Sequence, residues 1–203
     1  LLTQYRQAPK GIFIMIKPLQ TVHTLTATPL GDLLLAATPR GLSGAWFIEG
    51  QRGLPDWSSW GAPTHGHPLL GQAAREMDEY FAGQRQRFDV PLDLSCGTPF
   101  QQSVWHALLG IDAGDSQSYG QVAARIGHPA AVRAVGTAVG ANPVSVIVPC
   151  HRVLGSTGTL AGYGGGLGRK VALLLREGWQ VEAPAAGAEP APTLRPQRVA
   201  VRR

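Results

Sequence analysis

The chain has 203 residues, 44% of them hydrophobic and 15% charged, enough for one large core or two small ones. Its formal charge of +5 favours a polyanionic partner, but Arg195, Arg198, Arg202 and Arg203 near the end face only Glu189, leaving +2 for everything before Ala183. Two cysteines, Cys96 and Cys150, exclude a disulfide-dense secreted scaffold, and two free thiols are expected rather than one bridge.

Residues 12–16 are apolar but too short for the core of a signal peptide, and they stop at Lys17-Pro18. No run approaches the ~20 apolar residues of a membrane span. A cytoplasmic location without membrane contact is therefore expected. Residues 1–16 read as an N-terminal extension, with Met15 a candidate natural start.

Residues 21–28, 33–38 and 42–48 read as three strands, separated by the turn chemistry of Pro29-Leu30-Gly31-Asp32 and Pro39-Arg40-Gly41. Residues 50–67, dense in Gly, Pro, Ser, Trp and His, read as a loop. Apolar residues at helical spacing over 69–81 predict a helix that Gly83 ends, and 88–94 one more strand. After Gly97 the pattern turns helical. Thr98-Pro99-Phe100-Gln101 carries a capping threonine, a proline at the first helical position and a glutamine at the third. That helix should reach about residue 109, with Phe100, Val104, Trp105 and Leu108 inward.

Ser118-Tyr119-Gly120-Gln121 repeats the capping signal and opens a short helix ending near Ile126-Gly127. His128-Pro129 restarts the chain into 130–139, giving a helix-turn-helix candidate. Val146-Ile147-Val148-Pro149 reads as a short β-branched strand leading to Cys150 and His151, and 153–160 as a hairpin or loop. A glycine-rich loop over 161–166 precedes a last helix over 168–177, with Gly178 as its C-cap. The fold class expected is α/β: an N-terminal α/β domain over 17–95 with an antiparallel meander, then a mainly α domain over 96–180. Residues 181–203 read as a disordered basic tail.

A thiol is a strong nucleophile only as its thiolate, so a base or positive field beside Cys150 would matter. Adjacency to His151 is weak evidence by itself, because neighbours on a strand point to opposite faces. The 130–139 helix is built from small residues and offers one arginine, Arg133. Two readings are open: a smooth face for a minor groove, or a tightly packed core helix. The 162–166 loop likewise reads either as backbone donors near a base or as a flexible turn; it lacks the Gly-Lys-Ser/Thr of a phosphate loop. His65, His67, His106 and Cys96 show no metal-ligand spacing, so neither metal nor cofactor is expected.

Taken together, Thr98-Pro99-Phe100-Gln101-Gln102, Ser118-Tyr119-Gly120, Arg133-Ala134-Val135-Gly136, Asn142-Pro143, Ile147-Val148-Pro149-Cys150-His151-Arg152-Val153 and Gly162-Tyr163 occur in a known order. Residues 98–178 closely resemble the O6-alkylguanine-DNA alkyltransferases, with 17–94 a looser match to that family's variable first domain. The resemblance implies a ribonuclease H-like first domain and a winged helix-turn-helix in the second. It implies a single-turnover DNA repair reaction. Double-stranded DNA carrying O6-alkylguanine is held through its minor groove and the base flipped. A monomer then moves the alkyl group irreversibly to Cys150, and O4-alkylthymine is a further candidate substrate.

By position, the resemblance makes His151 a base acting on Cys150 through water and Glu177 the group orienting it. Tyr119 would give a proton to the leaving guanine, and Asn142 would support the site. Arg133 would fill the gap in the stack, with Ala131, Ala134, Gly136 and Thr137 on the DNA face. Val148, Tyr163 and Gly164 would hold the base. Three positions depart from many relatives: Gly164 where serine is common, and Ser145 and Asp112 where proline occurs. The alternatives are a lesion-binding protein without transfer, which Cys150 argues against, a cysteine hydrolase or thiol-redox enzyme, and a transcription regulator using the helix pair.

Overall fold

A computed structural model describes residues 21–182 and 193–196, with side chains up to 180. The expected extension over 1–16 lies outside the described residues. Strands β1 (Val22–Thr26), β2 (Leu33–Thr38) and β3 (Gly41–Phe47) form an antiparallel sheet in the order β1-β2-β3, with an irregularity between Ala36 and Ala37. β2 is apolar and buried from Leu33 to Ala37 because both faces of the sheet are covered. Leu33, Leu35, Leu42, Ala45 and Phe47 join the main core with Leu70, Ala73, Met77 and Tyr80 of helix α1 (Pro68–Ala82). Leu34, Ala36 and Trp46 face the other way, under Leu54, Trp57 and Trp60. The tryptophan-rich loop is thus a lid on the sheet. Gly44 makes room for the Trp46 ring beneath it, since a Cβ there would lie 1.9 Å from that ring.

Both predicted capping boxes form. Thr98 opens α2 (Pro99–Leu108) and Ser118 opens α3 (Tyr119–Arg125), each exchanging hydrogen bonds with the glutamine three residues on. Helix α4 (Val132–Gly140) follows a turn through Gly127, whose φ of 78° favours glycine. Trp105 of α2, fully buried, donates its indole N–H to Ala138 O of α4 at 2.8 Å. Two-residue strands β4 (Gln117–Ser118) and β5 (Val153–Leu154) pair in parallel, and α5 (Leu167–Arg176) closes the region. No helix among the described residues is long and apolar enough to cross a membrane.

Three readings change. Residues 88–94 supply a single parallel bridge, Leu42 to Leu92, instead of a strand; Pro91 has no N–H to extend a ladder. Residues 146–148 form a turn instead of a strand, because Val148 N bonds to Val144 O and Ile147 N to Ser145 O within the segment. In the tail, β6 (Trp179–Glu182) pairs antiparallel with β7 (Thr193–Pro196), placing Val181 opposite Leu194. The expectation of disorder fails at those residues, where a Trp-Gln-Val run supplies strand formers within an otherwise Ala/Pro-rich stretch. The remainder of 183–203 lies outside the described residues.

What positions the site is the free edge of β3. Ala45 accepts from Ser145 N at 2.8 Å and donates to Pro143 O at 2.9 Å. The turn leading to Cys150 is thereby added to the N-terminal sheet, which also covers the sheet's exposed edge.

Candidate active site

Asn142, buried two residues beyond α4, organises the segment around Cys150. Its Nδ2 donates to Val148 O at 2.8 Å, Val144 O at 3.4 Å and Cys150 Sγ at 2.9 Å, and its Oδ1 accepts from Val144 N at 3.0 Å. Inside this loop Val146 sits at φ 73°, the one non-glycine residue among those described with positive φ. A β-branched residue there costs about 1–3 kcal/mol and persists only where surrounding bonds over-determine it. The Asn142 hydrogen bonds and the Ala45–Ser145 pair do so.

Cys150 opens a single 3₁₀ turn, Cys150–Arg152, and is 5% exposed. Burial pushes its thiol up, against the Asn142 hydrogen bond, the positive charge of Lys170 and the backbone N–H groups of Cys150 and His151, all of which favour the thiolate. Lys170 is fully buried and donates to Val153 O at 2.6 Å and Ala161 O at 3.0 Å. Burial pulls it down to about 8, with Cys150 acting in the opposite sense.

His151 turns towards the end of α5, where its Nε2 lies 3.0 Å from Glu177 Oε1. Burial lowers its pKa and outweighs the carboxylate. The ring is therefore neutral, donating from Nε2, and Nδ1 is a buried lone pair with no partner among the described residues. Glu177 also takes the Arg152 guanidinium, at 2.9 Å from Nε and 2.7 Å from Nη2, and the Tyr80 hydroxyl at 2.8 Å. Burial alone would raise this carboxyl; the hydrogen bond from His151 and the Arg152 fork more than offset that and hold it at about 2.

The other predicted residues fall on two sides of this cluster. Tyr119 begins α3, half-buried, its phenol pushed up by burial and by Cys150, so it stays protonated. A Cβ on Gly136 would lie 3.8 Å from the Tyr119 ring, so α4 passes directly over it. On α4, Arg133, Ala134 and Thr137 are exposed, and Ala131 stands at the N-cap. Arg133 makes no ion pair among the described residues; Thr137 Oγ1 donates to its carbonyl at 3.2 Å. Tyr163 is buried, edge-on to His151 at 6.5 Å. Gly164 accepts from Arg52 N at 2.8 Å, while its own N–H has no partner among the described residues.

Val148 departs from expectation. Its carbonyl already accepts from both Asn142 Nδ2 and Cys150 N at 2.8 Å, so both lone pairs are engaged within the protein. Cys96 is a free thiol with no side-chain hydrogen bond among the described residues, pushed up to about 11 by burial and the Asp93 charge. Tyr80, Arg152 and Lys170 are the site residues that sequence reasoning left without a role. Arg152 lay inside the recognised run, whereas Tyr80 is 97 residues from Glu177 with no local signal.

Known proteins match this chain along both of its regions. Residues 99–179 match the family model described as the 6-O-methylguanine DNA methyltransferase DNA binding domain, and residues 21–94 match the ribonuclease-like domain of the same proteins. The chain is 46% identical over 154 residues to a Mycobacterium leprae protein named methylated-DNA–protein-cysteine methyltransferase, covering 76% of this chain and 90% of the relative. To the constitutive protein of that name in Bacillus subtilis it is 40% identical, covering 70% and 86%. The crystal structure of Mycobacterium tuberculosis O6-methylguanine methyltransferase superposes with a TM-score of 0.70 at 44% identity, covering 77% of this chain and 92% of that one. The structure of the OGT protein of that organism in complex with DNA gives 0.69 at 46% identity, covering 76% and 91%. By sequence over both of its regions and by fold, the chain belongs to the methylated-DNA–protein-cysteine methyltransferase family.

Proposed function

We propose that this protein repairs DNA by moving the alkyl group of O6-alkylguanine to Cys150, once per molecule. The observation that carries this reading is the buried Cys150 Sγ, hydrogen-bonded to Asn142 and followed in the chain by a neutral His151 pinned to Glu177. The thiol proton passes through water to His151 Nδ1, and the Glu177 carboxylate stabilises the imidazolium that forms. The thiolate attacks the alkyl carbon. An S–C bond forms, the C–O6 bond breaks, and its electron pair stays on the guanine, which takes a proton from the Tyr119 hydroxyl. The Gly164 N–H donates to O6, and Tyr163 packs against the base. Nothing in the site offers a route for removing carbon from a thioether, so the product is final.

The DNA side of the reading rests on α4. Its exposed face carries Arg133 among Ala131, Ala134, Gly136 and Thr137, a surface slim enough for a minor groove and short of base-reading side chains. A base must leave the duplex to reach Cys150, and Arg133 takes its place in the stack. Residues 17–95 and 96–180 would act as two domains, the second holding DNA and the alkyl acceptor, in a chain that works as a monomer.

Incubation with a duplex carrying radiolabelled O6-methylguanine should move label irreversibly onto protein, levelling at one equivalent; release of label with multiple turnovers would overturn the reading in favour of a hydrolase. Arg133→Ala should slow transfer from duplex roughly ten- to a hundredfold, since unstacking costs a few kcal/mol, yet leave reaction with free O6-benzylguanine unchanged. Equal losses on both would remove Arg133 from the flipping step.

A further inference from the structure

Three donors converge on a single oxygen of Glu177. His151 Nε2 lies 3.0 Å from Oε1, Arg152 Nη2 2.7 Å and the Tyr80 hydroxyl 2.8 Å, while Oε2 receives Arg152 Nε at 2.9 Å. A carboxylate oxygen offers two lone pairs. The three donors therefore share Oε1, and each weakens the hold of the other two.

Arg152 is not free to yield. Its Nη1 donates to Ile111 O at 2.5 Å, so the guanidinium is stretched between that carbonyl and both oxygens of Glu177. Tyr80 is held as firmly from the side of the N-terminal region. It is 2% exposed on α1, with the Phe81 and Phe88 rings 5.3 Å and 5.4 Å away centre to centre. Its carbonyl accepts from Arg176 Nε at 2.6 Å and also from Nη2, and the same guanidinium lies 5.3 Å over its ring. Burial and the Glu177 charge push the phenol up, so Tyr80 donates as a neutral hydroxyl.

We propose that Tyr80 is a positioning residue of the proton relay: its hydroxyl takes up part of Glu177 Oε1, which limits the pull of that oxygen on His151 and keeps the ring neutral until the Cys150 proton arrives. This deepens the alkyl-transfer reading and rests on it. The ring accepts a thiol proton only from its neutral state. A carboxylate given wholly to His151 would favour the imidazolium in the resting protein and leave Nδ1 unable to accept. The cations that bear on the ring, Arg152 beside it in the 3₁₀ turn and Lys170 on α5, oppose that charge as well, while Arg176 bears on Tyr80. Tyr80 is the donor that comes from α1, so the N-terminal region enters the chemistry through one hydrogen bond.

Tyr80→Phe removes the hydroxyl and keeps the ring. Single-turnover transfer from a duplex carrying O6-methylguanine should stay close to wild type in mild alkali. Its low-pH limb should move up by about half to one pH unit, the order of one hydrogen bond. In DNA-free protein at neutral pH, the proton resonance of His151 Nε2–H should move downfield as its bond to Oε1 shortens. Tyr80→3-fluorotyrosine, a stronger donor of nearly the same size, should move both readouts the other way and decides the matter if Tyr80→Phe does not fold. Phe88→Leu, which loosens the packing but keeps the hydroxyl, should leave both unchanged. Equal slowing at every pH, an unmoved resonance, or a Phe88→Leu shift matching that of Tyr80→Phe overturns the proposal. Absence of transfer by wild type, with the resonance still moving in Tyr80→Phe, would instead overturn the alkyl-transfer reading itself.

Discussion

Cys150→Ala should bind alkylated duplex DNA but transfer no label to itself. The side chain removed is the sole nucleophile of the proposed reaction, so the expected loss is complete, unlike the partial loss from deleting a base or an orienting group. The fold should survive. Asn142 Nδ2 gives up its bond to Sγ but keeps Val148 O and Val144 O, so no buried donor is left unmatched. Losing one sulfur from a packed site costs about 1 kcal/mol. The α4 face proposed to bind DNA does not include position 150, so gel-shift affinity should stay near wild type. Cys96 is the control: its thiol is pushed up to about 11 by burial and the Asp93 charge, and Cys96→Ala should transfer a full equivalent. Label appearing on Cys150→Ala protein would defeat the assignment.

Glu177→Ala should be the most damaging change outside the nucleophile, and on two counts. It strands the Arg152 guanidinium, 5% exposed by residue, together with the His151 Nε2–H and the Tyr80 hydroxyl. Removing one partner of a buried ion pair costs about 3–5 kcal/mol. It also takes away the group that stabilises protonated His151, so transfer should slow by about 10²- to 10³-fold. Glu177→Gln separates the two effects, because the amide fills the space without the charge.

The carboxyl titrates at about 2 in the folded protein and near 4.5 when unfolded, a difference equivalent to about 3 kcal/mol. A depressed acid stabilises above its unfolded pKa. Urea denaturation should therefore show the gap between wild type and Glu177→Gln constant from neutral pH to about 5, then closing as pH falls towards 2. A gap independent of pH across that window would mean that Glu177 is not held ionised by His151 and Arg152.

Local chemistry in this chain was readable, and long-range geometry was not. Thr98 with Gln101 and Ser118 with Gln121 announce their helices because each cap closes within three residues. The run 33–38 reads as a buried strand because the sheet is covered on both faces. At 146–148 the same logic misleads: three β-branched residues look like a strand, but the bonds around Asn142 force Val146 to positive φ. The family's ordered motifs pointed to Cys150, His151 and Glu177. What surrounds them came only from the fold. Tyr80 and Lys170 are ordinary residues in their own segments, and their contacts arise where α1 and α5 meet the segment around Cys150. Val148 shows the converse hazard, a residue matched by position whose carbonyl is already occupied.

Asn142 gives the molecule a memory. One amide group fastens Val144, Val148 and the thiol together just beyond the end of α4. A carbon added to Sγ, in a site only 5% open, must be accommodated against that amide. Overpacking of this kind costs typically 1–3 kcal/mol, and it falls at the joint between the end of α4 and the turn that carries Cys150. Spent protein should melt below fresh protein and hold DNA less firmly.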